Sequence, residues 1–181
     1  MKFTFYITVL FFISFFGFSQ SVATPKSLAI ESNFSVESVK VYQNNANLKI
    51  EDFYNYLSLY SQESSSEELK IEVKKNIFRL VENENIILSN YIIAPDETIS
   101  LPNFLAAINN KNYTFEADAI QNASSTEFNF WITNYQLKIT QNKKVKIVNC
   151  SQKVFFKPIE KIFGSKQKEV WTVFLSTVNA I

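Results

Sequence analysis

Residues 126–156 read TEFNFWITNYQLKITQNKKVKIVNCSQKVFF. Two runs rich in β-branched and aromatic residues flank Gln141, Asn142, Lys143 and Lys144, which is the pattern of a β-hairpin. A two-residue turn at Asn142 and Lys143 fixes the pairing. Leu137 then faces Val148, Tyr135 faces Cys150 and Trp131 faces Val154 on one side, while Phe130 meets Phe155 and Lys138 lies beside Ile147 on the other. In the first run the apolar side changes halfway. Phe128, Phe130 and Ile132 occupy the even side; Trp131, Tyr135, Leu137 and Ile139 occupy the odd side. The expectation is one buried face near the turn and a second burial beginning around Ile132, covered by an N-terminal arm or by a second subunit. A straight strand over 126–140 would span ~50 Å, so a bend or bulge is expected near Thr133 and Asn134.

Further strands are expected on both sides of this hairpin. Residues 113–121 alternate as Tyr113, Phe115, Ala117 and Ala119, and 122–125 read as a turn. After the hairpin, 159–168 contain Gly164 and read as a connection, and 170–178 (VWTVFLSTV) form a closing strand. Residues 86–93 are a short β-branched run ended by Pro95. Between these strands, Ser100 and Pro102 start a short helix that buries Leu101, Leu105 and Ile108, with Phe104 beside them.

Earlier still, Ile50, Phe53, Tyr54, Leu57 and Tyr60 share one helical face. A second helix is expected to start at a capping box of Ser65 and Glu68. It would bury Leu69, Val73, Ile77, Leu80 and Val81 and turn Lys70, Lys74, Lys75 and Arg79 to water. The serine-rich link between the two makes a helical hairpin. Residues 24–46 read as a loose polar arm with a short strand near 39–42.

The first 23 residues have the layout of a secretory signal peptide: Lys2, an apolar run from Phe3 to Phe18, then small residues allowing cleavage after Ser19 or Ala23. The expected organisation is therefore a leader over 1–23, an arm over 24–46 and one domain over 47–181. The expected address is secreted or periplasmic, with no membrane span after cleavage. Removing the leader removes Lys2 alone and leaves 17 basic against 17 acidic residues. Such a neutral domain has no electrostatic footprint for nucleic acid. One cysteine, Cys150, excludes an internal disulfide and reads as a small buried hydrophobe.

With no histidine in the chain, histidine triads, dyads and metal sites are excluded. Beyond the leader the one glycine is Gly164, which excludes glycine-rich phosphate loops. No metal and no cofactor are expected. The remaining catalytic option is a carboxylate with a tyrosine: Glu116 or Asp118 as base, Tyr135 as donor. Alternation places both acids opposite Phe115 and Ala117, toward water. The aromatic residues Phe128, Phe130, Trp131, Tyr135, Phe155 and Trp171 are candidates for a pocket or interface.

Two helices, a strand, a short helix and then an antiparallel meander give an α+β class. The expected fold is a helical hairpin and short third helix on a curved antiparallel sheet of about 4–5 strands. In element order, over roughly 48–178, this resembles the NTF2-like (cystatin-like) superfamily. That resemblance implies a sheet wrapped into a cone with an internal pocket, on a scaffold that serves enzymes and binding modules alike. The leader, Phe-rich and ending in Phe-Ser-Gln, resembles those of exported proteins of Flavobacterium-type bacteria. The functional expectation is an exported, non-catalytic binding or interaction module for an unknown small ligand or protein partner. The alternatives are a small pocket enzyme of isomerase or dehydratase type, and a structural subunit of a cell-envelope assembly. A homodimer through the sheet is a further expectation.

Overall fold

A computed structural model describes residues 30, 33–123 and 129–181, with Pro95 described by its backbone alone. The expected leader, Phe128 and residues 124–125 of the expected turn lie outside the described residues. Helix α1 spans Val36–Ser61, α2 spans Glu67–Leu80 and α3 spans Leu101–Ile108. Strands β1 (Ile87–Asn90), β2 (Ala94–Ser100), β3 (Thr114–Asn122), β4 (Phe130–Gln141), β5 (Lys144–Phe163) and β6 (Lys166–Ala180) form a single sheet. Its order is β2-β1-β6-β5-β4-β3. The sheet is open and mixed, because β1 runs parallel to β6 while every other pair is antiparallel. The class is α+β, as expected.

The second half of the expected arm is helical, and there is no strand near 39–42. Ser35 caps α1 by accepting from the Ser38 amide at 3.3 Å, with Glu37 in the first turn. Val39 and Ala46 are buried on the same stripe as Ile50, Phe53 and Leu57, whereas Val36 and Val41 face water. Val36, Val39 and Val41 lie on both faces of one helix. In α2 the cap is Ser66, not Ser65; its hydroxyl accepts from the Leu69 amide at 3.2 Å. The buried stripe differs from the expected one at Leu69 and Lys70. Leu69 is 41% exposed while Lys70 is 4% exposed, its ammonium donating to Asn110 just past the C-terminal end of α3. A cation there meets the negative end of a helix dipole.

Residues 94–100, where no strand was expected, are the edge strand β2, paired with β1 through Leu88–Ile99 and Ser89–Thr98. Pro95 does not end the sheet, because an edge strand tolerates a missing N–H. Ser100 sits at the N-cap of α3 without a side-chain cap bond, and the Leu101 amide donates to the Ile86 carbonyl at 2.9 Å instead. Leu101, Phe104, Leu105 and Ile108 are buried as expected.

The β4–β5 hairpin has the register read from the sequence: Leu137–Val148, Tyr135–Cys150, Trp131–Val154, Phe130–Phe155 and Lys138–Ile147. Asn142 (φ 48°) and Lys143 (φ 63°) are both left-handed, as the mirror-image hairpin turn requires. Lys143→Gly removes a side chain from that conformation, so it is expected to stabilise the fold by about 1 kcal/mol, read as a higher urea midpoint at unchanged slope. The ribbon β5–β6 is longer than expected. The supposed connection over 159–168 is strand on both sides of a turn at Gly164 (φ 62°) and Ser165. Little in 160–169 is buried on either face, so it shows no hydrophobic alternation to read.

No bulge lies at Thr133 or Asn134: β4 pairs with β5 without a break. The extra residues sit in its neighbours. Ala119 (φ 52°) and Ile120 of β3 together oppose Tyr135, and Ser176 and Thr177 of β6 together oppose Lys153. The inner face of β4 does not change side either. Trp131, Thr133, Tyr135, Leu137 and Ile139 are buried in succession. The core lies between this face and the helices, with α1 lying across β3 and β6.

Candidate functional site

The sequence candidates fall into separate places. Tyr135 points inward from β4 and meets Tyr54 of α1, the two hydroxyls 2.7 Å apart. The Tyr135 hydroxyl also donates to Oε1 of Gln152 at 3.1 Å, and the Gln152 amide donates to the Ser176 carbonyl at 3.3 Å. Tyr91, which follows β1, completes the cluster. Its hydroxyl is buried without hydrogen-bond geometry to a partner, yet close enough to Tyr54 to share its electrostatics. Burial first, then the neighbouring phenols and Cys150, hold Tyr54, Tyr91 and Tyr135 well above the usual tyrosine range. They remain neutral phenols at any physiological pH. Burial likewise pushes the Cys150 thiol from 9.0 up to about 12, which removes its thiolate chemistry and agrees with a packing role.

Glu116 and Asp118 do not join this cluster. Glu116 pairs across the strands with Lys138, Oε2 to Nζ 2.8 Å, and is exposed. Asp118 is exposed too and accepts from the Ala119 amide at 2.7 Å. Their partners Lys138 and Gln136 lie on the even, outer side of β4, whereas Tyr135 lies on the inner side. The sheet itself separates each acid from the tyrosine. The carboxylate–tyrosine arrangement considered from the sequence is therefore not assembled.

The aromatic candidates also divide. Trp131 is buried, 6.2 Å from Phe156, and its Nε1–H donates to Asn122 Oδ1 at 3.1 Å. Phe156 stacks in turn with Trp171 at 5.0 Å and with Tyr42 at 4.3 Å, and Phe34 packs on all three. This is a core cluster joining α1 to the base of the β5–β6 ribbon. Phe130 and Phe155 lie on the outer face, 5.8 Å apart. Lysines cover them: Lys153 Nζ is 3.9 Å from the Phe130 ring centre and 4.6 Å from that of Phe155, and Lys157 Nζ is 5.6 Å from Phe155. Cation–π contact and lysine stems explain how an apolar stripe stands on an outer face.

A shallow recess of about 220 Å³ on the sheet takes in Tyr135 and Cys150, but another concave site is built from residues that were not candidates. Where the turn after β1 meets the β4–β5 hairpin, a cleft of about 380 Å³ opens. Ile92, Tyr113 and Ile139 line it with Gln141, Lys144 and Lys146. Two bonds hold its walls. Lys146 Nζ donates to the Tyr91 carbonyl at 2.6 Å, and Gln141 Nε2 donates to the Lys111 carbonyl at 2.9 Å. Lys144 is exposed, but its turn forms one lip of the cleft. No local signal marks such a site, because its two lips are about fifty residues apart in sequence.

Among the described residues no group of three His, Cys, Asp or Glu side chains is placed to hold a metal ion. No helix among them is long and apolar enough to cross a membrane. Compared with known proteins, the chain matches no family model, and no curated protein is significantly similar to it.

Proposed function

We propose that this chain is an exported, non-catalytic binding module of NTF2-like type, with its ligand taken at the rim cleft rather than in the interior. Three observations support the reading. The element order α-α-β-β-α followed by a four-strand meander, on a β2-β1-β6-β5-β4-β3 sheet, is compatible with such a scaffold. The leader-like sequence of residues 1–23 favours export. The third observation carries the functional part. An isomerase-type site needs an ionised carboxylate beside Tyr135, and the positions beside that hydroxyl belong to Tyr54 and Gln152.

The experiment is solvent-deuterium uptake by small enolisable ketones, followed by NMR. No uptake above that given by heat-inactivated protein is expected. Uptake that disappears in Asp118→Asn or Glu116→Gln would establish the pocket-enzyme alternative. Both substitutions are on the exposed outer face, so each should leave thermal stability within about 0.5 kcal/mol.

A further inference from the structure

The cleft at the sheet rim has a chemistry that narrows its ligand. Its volume, about 380 Å³, lies in the range of small-molecule sites. Its apolar lining includes Ile92, Tyr113, Ile139 and the exposed Val145; Ile139 is buried, and Ile92 and Tyr113 are partly buried. Its charged lining comes from Lys144 and Lys146, and no acidic side chain lines it. The bond from Lys146 to the Tyr91 carbonyl fixes one ammonium at the wall. It also leaves two of that ammonium's three N–H donors to be satisfied from elsewhere. Lys144 stands at the first position after the tight turn, paired with Gln141 across the hairpin, so its backbone is rigidly placed although its side chain reaches water.

We propose that this cleft binds a small organic monoanion, with an apolar body against Tyr113 and Ile139 and a carboxylate toward Lys144 and Lys146. The inference rests on the binding-module reading and adds the ligand's chemical class. A neutral apolar ligand would fill the floor but use neither cation. A bare inorganic anion would use the cations and leave the apolar floor wet. A ligand with both parts matches both surfaces, and a charge-assisted bond to a carboxylate is stronger than one to a neutral carbonyl.

The test is an amide-resolved NMR titration of the full chain with three probes: 3-phenylpropionate, 3-phenylpropanamide and inorganic phosphate. Saturable shifts are expected with the carboxylate, centred on Tyr113 and residues 139–146. The amide should bind about 5-fold more weakly or worse, the worth of one exposed ion pair. Lys144→Gln should weaken the carboxylate by a similar factor and leave the amide unchanged, while Lys144→Arg keeps most of the affinity. Equal binding of amide and carboxylate, phosphate binding as tight as the carboxylate, shifts centred elsewhere, or no saturation would each overturn the proposal. The module reading fails by a different route, through turnover lost in the Glu116 or Asp118 variants, so the two failures are distinguishable.

Discussion

Raising the pH from 9 toward 12 is expected to strip several kcal/mol from the folded state, with the loss steepening above pH 10. The Cys150 thiol titrates at 9.0 when unfolded and about 12 when folded. The folded state therefore holds this proton more tightly. Its stabilising effect is complete below pH 9, falls as pH rises, and is gone once pH passes the folded value. Each pH unit in that window costs about 1.4 kcal/mol per such proton, or about 4 kcal/mol across the window for Cys150 alone. Tyr54, Tyr91 and Tyr135 behave alike from their ordinary value upward, because burial raises all three. Lys49 acts in the opposite sense. Burial, then Lys161, lowers its pKa, so the fold gains stability from it as pH rises toward the ordinary lysine value. It is one partly buried group against the cysteine and three buried tyrosines, and Tyr60 is raised as well. Urea midpoints measured from pH 8 to 11 should thus fall. Cys150→Ala should flatten the slope between pH 9 and 10, and Tyr135→Phe should flatten it above 10. A midpoint independent of pH to 11 would show that these groups are solvated in the native state.

What the sequence disclosed and what it hid have a common physical cause. The β4–β5 register was legible because the two-residue turn fixes the pairing and the alternation of β4 near the turn agrees with it, and a one-residue slip would bury Lys138 and Gln136. Helix α3 was legible from Ser100, Pro102 and its stripe. The beginning of α1 was not, because Val36 and Val41 are exposed apolar residues that break the helical periodicity. The β5–β6 ribbon was hidden by its own exposure. Glu160 opposes Glu169 and Lys161 opposes Lys168, so neither burial nor charge pairing announces the strands there.

The candidate site shows the same division. Tyr135 was correctly read as inward-facing, and Glu116 and Asp118 as outward. Alternation alone reaches that result, and it already implies that acid and tyrosine cannot meet across one sheet. Alternation says nothing of what helix will lie over Tyr135, so Tyr54 as its partner was not foreseen. The turn at Tyr91 and the hairpin at Gln141 meet only because β1 docks on β6. That long-range pairing is the information a single sequence carries most weakly.

The largest single-residue loss is expected from Trp131→Ala. Trp131 is among the largest fully buried side chains, and truncations of this kind cost about 3–5 kcal/mol. At about 2–4 °C per kcal/mol for a domain of this size, the melting temperature should fall by about 10 °C. Part of the effect should come from a polar hub rather than from lost volume. Asn122 Oδ1 accepts from Trp131 Nε1 and, at 2.7 Å, from the buried Thr133 hydroxyl, while Asn122 Nδ2 donates to Asn47 Oδ1 of α1 at 2.9 Å. The same corner is closed by the Ala123 amide donating to Ile132 O at 2.8 Å. Through this hub one asparagine ties α1, the end of β3 and the start of β4. Asn122→Ala leaves the Thr133 hydroxyl and the indole N–H without their acceptor, at about 1–3 kcal/mol for each buried group. Trp131→Phe keeps a smaller aromatic ring and discards the N–H. If the hub is a unit, Trp131→Phe and Asn122→Ala combined should cost less than their separate costs added, with a coupling of about 0.5–3 kcal/mol in denaturant unfolding. Strict additivity would mean that Trp131 acts by volume alone, and that β3 is held to β4 at this end by its backbone ladder without the asparagine.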